Sequence, residues 1–319
     1  MSQLFFEAQD FLMNTNVEQK IFGNSVDVIY EASIRELHRL ENIMSFYREA
    51  SEVSLLNRCA GVDSVKLSEE MMLVLRQAKS IALHSEGAFN ILLAPLIQLW
   101  KTSSEKNELP TLGAIKEISI LCDNENLVLD NSEGTAYLTH TGCMIDLGGI
   151  GKGFAADVCC ELYREMGATS AFINLGGNVK TIGNHPDKKE WAVGIQHPGK
   201  PRGNCYGAVM CSDLSIVTSG AYERYYEIKK TKYHHIIDSQ TGFPSKSDLK
   251  SVTVISRNSM QADALSTAAF VMGLEKGTDL IYNSNCLGAI FFTASNEIYL
   301  TKGIKQYLRL FERLACYEI

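Results

Sequence analysis

The sequence predicts an α+β protein. Helical periodicity dominates as far as about Leu121, and beyond it short strands, punctuated by Gly, Asn, Asp and Pro, alternate with helices. No internal repeat or low-complexity segment divides the 319 residues, so residues 1–319 are expected to form a single domain. In chain order, VEQKIF (17–22) reads as a strand. From Ser25 the pattern turns helical, with Ile34, Leu37, Leu40 and Met44 recurring every three or four residues. Ser68 followed by Glu69 and Glu70 marks a helix start, and Met71, Leu75, Ala78 and Ala82 fall on one face. EGAFNILLAPLIQLW (86–100), interrupted by Gly87 and Pro95, reads as a loop and a short helix, and KTSSEKNELPT (101–111) as a surface loop. LVLD, AYLTH, CMIDL, AFINL, WAVGI and SIVTS read as strands, with a helix over 153–166. YHHIID and SVTVIS follow, then a helix over 261–273, another near 275–284, and a hairpin GAIFFTASNEIYL turning at Ser295–Asn296.

Composition removes several function classes. Apolar residues make up 45% and charged residues 21%, ordinary for a globular protein, and at this length a core forms without staples. A net charge of −7 and a pI near 5.6 argue against a nucleic-acid or anionic-membrane binder. Nine cysteines at irregular spacing, with no C-x-x-C pair, suit free thiols in a reducing compartment, and the adjacent Cys159 and Cys160 suit core packing. MSQLFFEAQDFLMNT has no basic residue and no signal-length apolar run, and no stretch approaches 18 apolar residues, so a cytoplasmic protein without membrane insertion is expected.

IDLGGIGKGFAAD (145–157) crowds four glycines and Lys152 between a strand-like and a helix-like segment. It is not a Walker A loop, since Asp146 stands where the first glycine belongs and Gly153 where Ser or Thr belongs. Nor is it a dinucleotide fingerprint, because Phe154 takes the third glycine position. Glycines before a helix N-terminus leave N–H groups to face an anion, and Lys152 adds charge; a tight turn with Lys152 in water is the alternative. In QADALSTAAF (261–270), Asp263, Ser266 and Thr267 share a helix face, the oxygen chemistry Mg²⁺ prefers, although an Asp near a helix start with two satisfied hydroxyls looks the same. In YHHIIDSQTGFP (233–244), strand alternation sends His234 and His235 to opposite sides. In FINLGGNVKTIG (172–183), a glycine pair between two strands reads as a bulge or a close ligand approach.

MSFYREASEVSLLN (44–57), EGAFNILLAPLIQLW (86–100), IDLGGIGKGFAAD, INLGGNVKTIG (173–183), VTSGAYERYY (217–226), HIIDSQTGFP (235–244) and SVTVISRNSMQADALSTAAFVMG (251–273) resemble, in order, the FAD:protein FMN transferase (ApbE) family. The resemblance runs from about Met13 to Gly273. It implies one modified T-fold-like α+β domain with a mixed, largely antiparallel sheet. It also implies transfer of FMN from FAD to a Thr or Ser hydroxyl of an acceptor protein, within a small-residue motif, with Mg²⁺ at the pyrophosphate and AMP released. By resemblance, Asp146 contacts the flavin nucleotide and Lys152 its phosphates. Gly149, through its carbonyl, and Asp263 and Thr267 hold the metal, with Ser266 adjoining. Met13, Tyr47, Ala88, Phe89 and Asn90 contact FAD, and His235 and Ile237 sit beside the reacting centre. His235 is the candidate base, with Asp238 able to serve or orient it.

Three features depart from the family pattern. Asn90 stands where the family usually has Asp, Ser239 replaces the usual Pro and is expected to loosen its turn, and no export signal is seen. A hydrolase splitting FAD to FMN and AMP, and a non-catalytic FAD-storage protein, are the competing readings.

Overall fold

A computed structural model describes residues 5–222 and 225–319; Glu223 and Arg224 of the VTSGAYERYY motif and residues 1–4 lie outside the described residues. The chain runs β1 (Phe5–Leu12), β2 (Thr15–Gly23), α1 (Val26–Met44), α2 (Glu52–Arg58), β3 (Val65–Lys66), α3 (Glu69–His84), α4 (Ala94–Glu105), α5 (Leu112–Ser119), β4 (Leu127–Asp130) and β5 (Thr135–Leu138). It continues α6 (Gly151–Glu165), β6 (Ala168–Leu175), β7 (Asn178–Ile182), β8 (Trp191–Gln196), β9 (Cys205–Cys211), β10 (Ser215–Gly220), β11 (Tyr225–Ile228) and β12 (Thr231–His234). The last elements are β13 (Leu249–Ser256), α7 (Ser259–Tyr282), β14 (Gly288–Thr293), β15 (Ile298–Leu300), β16 (Leu308–Leu310) and β17 (Cys316–Glu318).

Among the described residues, nine strands form the central sheet in the order β1-β2-β6-β7-β10-β13-β14-β15-β17. Every neighbouring pair in it is antiparallel except β15 with β17, so the sheet is mixed and largely antiparallel, as expected. Its inner strand β14 is apolar on both faces because both faces are covered there. In β14, Ala289 and Phe291 join the core under α1, α6 and α7, whereas Ile290 and Phe292 join a second core against the smaller sheet β16-β9-β8. A third cluster, centred on Trp100, binds α4 and α5 to the β11–β12 hairpin.

Several local readings hold because their causes are local. Ser68 caps α3 by accepting from the Met71 N–H at 3.2 Å. Gly273, at φ 80°, breaks α7 where the sequence suggests two helices. Others are corrected. CMIDL (143–147) forms no strand: Asn57 takes the place of a partner strand, accepting from the Ile145 N–H at 2.8 Å and donating to its carbonyl at 3.1 Å. The first half of 101–111 is the end of α4, whose Pro95 sits harmlessly in the first turn. Gly176–Gly177 is not a bulge but the two-residue turn joining β6 to β7, with φ 62° and 96°.

The glycine-rich segment serves helix packing first. A Cβ on Gly153 would lie 2.3 Å from the Ser259 carbonyl oxygen and 2.7 Å from Met260 Cα, so only glycine lets α6 and α7 meet there. Gly151, two residues earlier, meets only ordinary contacts of 3.7 Å or more. Gly153→Ala is therefore expected to lower stability by about 2–3 kcal/mol, while Gly151→Ala is neutral or stabilising within about 1 kcal/mol; denaturant unfolding of both variants checks the contrast.

Candidate active site

The open end of the central sheet carries a cleft of about 670 Å³. The β1–β2 turn, the β6–β7 turn and the end of β10 form its floor. The starts of α6 and α7 form one wall, and the Ala88–Lys101 segment with the β11–β12 hairpin forms the other. Of the residues singled out from sequence, Tyr47, Ala88, Phe89, Asn90, Asp146, Gly149, Lys152, His235, Ile237, Asp263 and Thr267 all line it.

The α6–α7 wall is built from exchanged carboxylates. Asp263 on α7 is buried, and its Oδ2 accepts from the Gly153 N–H at the start of α6 at 3.0 Å. That end of the helix carries partial positive charge, which favours the carboxylate. Lys152 Nζ lies 3.7 Å from the same oxygen and donates to the Gly148 carbonyl at 2.5 Å. The anion facing the α6 N-terminus is thus Asp263 itself. The Gly148 N–H is also taken, by Asp146 Oδ1 at 2.8 Å, and the Gly151 N–H by the Leu147 carbonyl. One helical turn beyond Asp263, the two hydroxyls part company. Ser266 is buried, bonded to Ser219 Oγ at 2.8 Å and to the Asp263 carbonyl at 2.9 Å, and does not line the cleft. Thr267 does, with Ser219 Oγ at 3.1 Å. A Cβ on Gly149 would lie 3.8 Å from Thr267 Oγ1 and 3.2 Å from the Phe89 ring, so the Gly149 backbone adjoins the Thr267 hydroxyl.

One carboxylate, one hydroxyl and a nearby backbone make an all-oxygen set, and no group of three His, Cys, Asp or Glu side chains suited to a metal occurs among the described residues. Such a set fits a hard cation such as Mg²⁺, which completes its shell with water and substrate phosphate rather than with a protein cage.

Across the cleft, the two histidines separate, but not by strand alternation: β12 ends at His234, and His235 lies in the bend that follows it. His234 packs edge-on against Phe270 at 5.7 Å and bonds the Ser245 carbonyl through Nε2 at 2.7 Å; burial lowers its pKa and favours the neutral ring. His235 faces the cleft. Asp238 does not line it: its carboxylate accepts from the Gln240 N–H and the Thr241 hydroxyl, both at 2.9 Å, and so shapes the turn after Ile237. Met13 sits in the β1–β2 turn with its N–H on Glu41, while its neighbours Asn14, Thr15 and Asn16 line the cleft. Sequence reasoning also passed over Phe11, Lys101, Asn178, Arg202, Thr218 and Tyr225 in the lining. No local signal marks them, because each arrives from a different element.

Both unusual residues have structural partners. Asn90 accepts from the Leu92 N–H at 2.8 Å and donates to the Cys122 carbonyl at 2.7 Å, a pair of bonds that needs an amide. Ser239, expected to loosen its turn, instead ties it down by donating to the Gly87 carbonyl at 2.8 Å. Asn90→Asp should cost about 1–3 kcal/mol at neutral pH by setting a carboxylate against a buried carbonyl, and Ser239→Ala about 1 kcal/mol; thermal unfolding measures both.

The whole arrangement has close counterparts. The sequence model of the ApbE family matches residues 13–291. The chain is 31% identical over 290 residues to an FAD:protein FMN transferase of Klebsiella pneumoniae, covering 91% of this chain and 90% of that one. It is also 31% identical over 324 residues to the protein of the same name from Treponema pallidum, covering 96% and 90%. The crystal structure of the ApbE protein of Thermotoga maritima superposes with a TM-score of 0.87 at 28% identity, over 96% of this chain and 100% of that one. The Pseudomonas stutzeri flavinyl transferase ApbE, 24% identical, shares the fold with a TM-score of 0.83 over 96% of this chain and 97% of that one. A cleft assembled from motifs in this order, on this sheet, makes the chain a member of the ApbE family.

Proposed function

We propose that residues 1–319 act as one ApbE-like domain that transfers the FMN half of FAD to a serine or threonine hydroxyl of an acceptor protein, releasing AMP. The observation that carries the reading is the meeting of Asp263, Thr267, Gly149 and Lys152 at one wall of a cleft large enough for a dinucleotide, in a chain of this family. Asp263, Thr267 and the Gly149 carbonyl would hold Mg²⁺, with Ser266 bracing Asp263 and the adjoining hydroxyls from behind. When bound, Mg²⁺ neutralises charge on the pyrophosphate. Lys152, already poised beside Asp263, binds the phosphates.

Asp146, Tyr47, Ala88, Phe89, Asn90 and Ile237 line the space for the rest of FAD, with Met13 fixing the turn beneath it. His235 takes the acceptor proton as the hydroxyl oxygen bonds to the FMN phosphorus and the bond to AMP breaks. Asp238 contributes by shaping the turn that follows His235 and Ile237. The acceptor presents its hydroxyl within a run of small residues, as the resemblance to the family implies. Nine free cysteines support a reducing, cytoplasmic setting, and no helix among the described residues is long and apolar enough to cross a membrane.

The test is AMP release from FAD with Mg²⁺, with and without candidate acceptor proteins, followed by the mass of each acceptor. AMP should appear with an acceptor that gains the mass of FMN less water. His235→Ala should slow transfer by about 10²-fold or more while FAD stays bound. AMP formed equally without acceptor, and no mass gain, would make the protein an FAD hydrolase. Bound FAD with no AMP would make it a flavin store.

A further inference from the structure

The acceptor has to be guided into the cleft, and one edge of the central sheet leads there. β1 is the outermost strand of that sheet, eight residues long, whereas the opposite edge strand, β17, has three. Short edges are a usual protection against unwanted pairing, and β1 lacks it; it also has no proline or bulge. Its outer backbone groups can be identified. Met13 and Asn14, at φ 52° and 57°, form a two-residue turn, which makes Leu12 and Thr15 a hydrogen-bonded pair. By alternation Asp10, Ala8 and Phe6 also bond to β2, so the N–H and C=O groups of Glu7, Gln9 and Phe11 point away from the sheet. No backbone bond to them occurs among the described residues. Glu7 pairs with Lys20 at 3.0 Å, whereas Asp10 accepts from the Tyr30 hydroxyl at 2.9 Å and keeps its negative charge. Phe11, at the end of the strand, is 67% exposed and itself lines the cleft.

We infer that β1 is the acceptor-docking edge: an extended segment of the acceptor protein adds to it as a further strand and runs past Phe11 into the cleft. Main-chain bonds to Glu7, Gln9 and Phe11 supply affinity without demanding a particular sequence, and the exposed Phe11 ring marks where the segment enters the site. This inference rests on the transferase reading.

The experiment uses the acceptor protein identified by its FMN mass gain, with its modified Ser or Thr replaced by Ala so that it docks without reacting. Hydrogen exchange on the wild-type enzyme should show the Glu7, Gln9 and Phe11 amides slowed when this acceptor is added. Gln9→Pro removes one outward donor and none of the bonds to β2, and should raise KM for the reactive acceptor about tenfold with FAD affinity unchanged. Transfer by the wild-type enzyme without protection of these amides, and an unchanged KM in Gln9→Pro, would overturn the docking edge and leave the transferase reading intact. Protection that follows enzyme concentration in the absence of acceptor would assign the edge to a second copy of the chain and overturn the inference. Failure of every candidate acceptor to gain FMN would overturn both.

Discussion

The site depends on a reciprocal exchange between two helix starts. Asp157 of α6 accepts from the Ser259 and Met260 N–H groups at the beginning of α7, at 2.9 and 2.8 Å, and Asp263 of α7 accepts from the Gly153 N–H at the beginning of α6. Each helix thereby supplies the negative charge that the other's N-terminus favours. Asp157 is held in turn by the buried Lys180 of β7, an ion pair whose loss of one partner would strand a charge in the core. The absence of a side chain at Gly153 lets the helices close to the distance these bonds require. Everything on the cleft wall follows from that closure.

Asp263 is the point where architecture becomes chemistry. One of its oxygens is committed to α6, which fixes the carboxylate, and Lys152 is brought to the same oxygen by its own bond to Gly148. Because Ser266 and Thr267 are consecutive, they project in different directions. Ser266 turns into β10 and is held there by Ser219, which also reaches Thr267 and steadies its hydroxyl at the cleft surface. A cation held by so few protein groups would gain its remaining ligands from a phosphate, as the proposed function requires. The opposite wall is lighter. It hangs on Trp100, whose indole N–H donates to the Gly242 carbonyl, and on the short bonds of Asn90, Ser239 and Asp238.

What the sequence reveals about this molecule tracks the distance over which each cause acts. The α1 stripe, the Ser68 cap and the break at Gly273 are settled within a few residues, and all are readable in order along the chain. The Asp263–Thr267 spacing shows a shared helix face, although not that Ser266 faces inward, since that is decided by Ser219 on another element. CMIDL reads as a strand because its buried alternation is real; only Asn57, 88 residues away, reveals that a side chain stands in for the neighbouring strand. Likewise the glycine segment suggests an open anion site, whereas the N–H groups of Gly153, Gly148 and Gly151 are taken by Asp263, Asp146 and Leu147 once the chain folds. The firmness of the Ser239 turn is equally invisible, because Gly87 is brought to it by folding.

In the proposed function, the wall made by α6 and α7 receives both the metal and the pyrophosphate. A crystal structure of the protein with FAD and Mn²⁺, with an anomalous difference map, tests it most directly. The anomalous peak is expected between Asp263 and Thr267, with the FAD phosphates beside Lys152. A metal elsewhere, or an FAD whose pyrophosphate lies away from this wall, would contradict it.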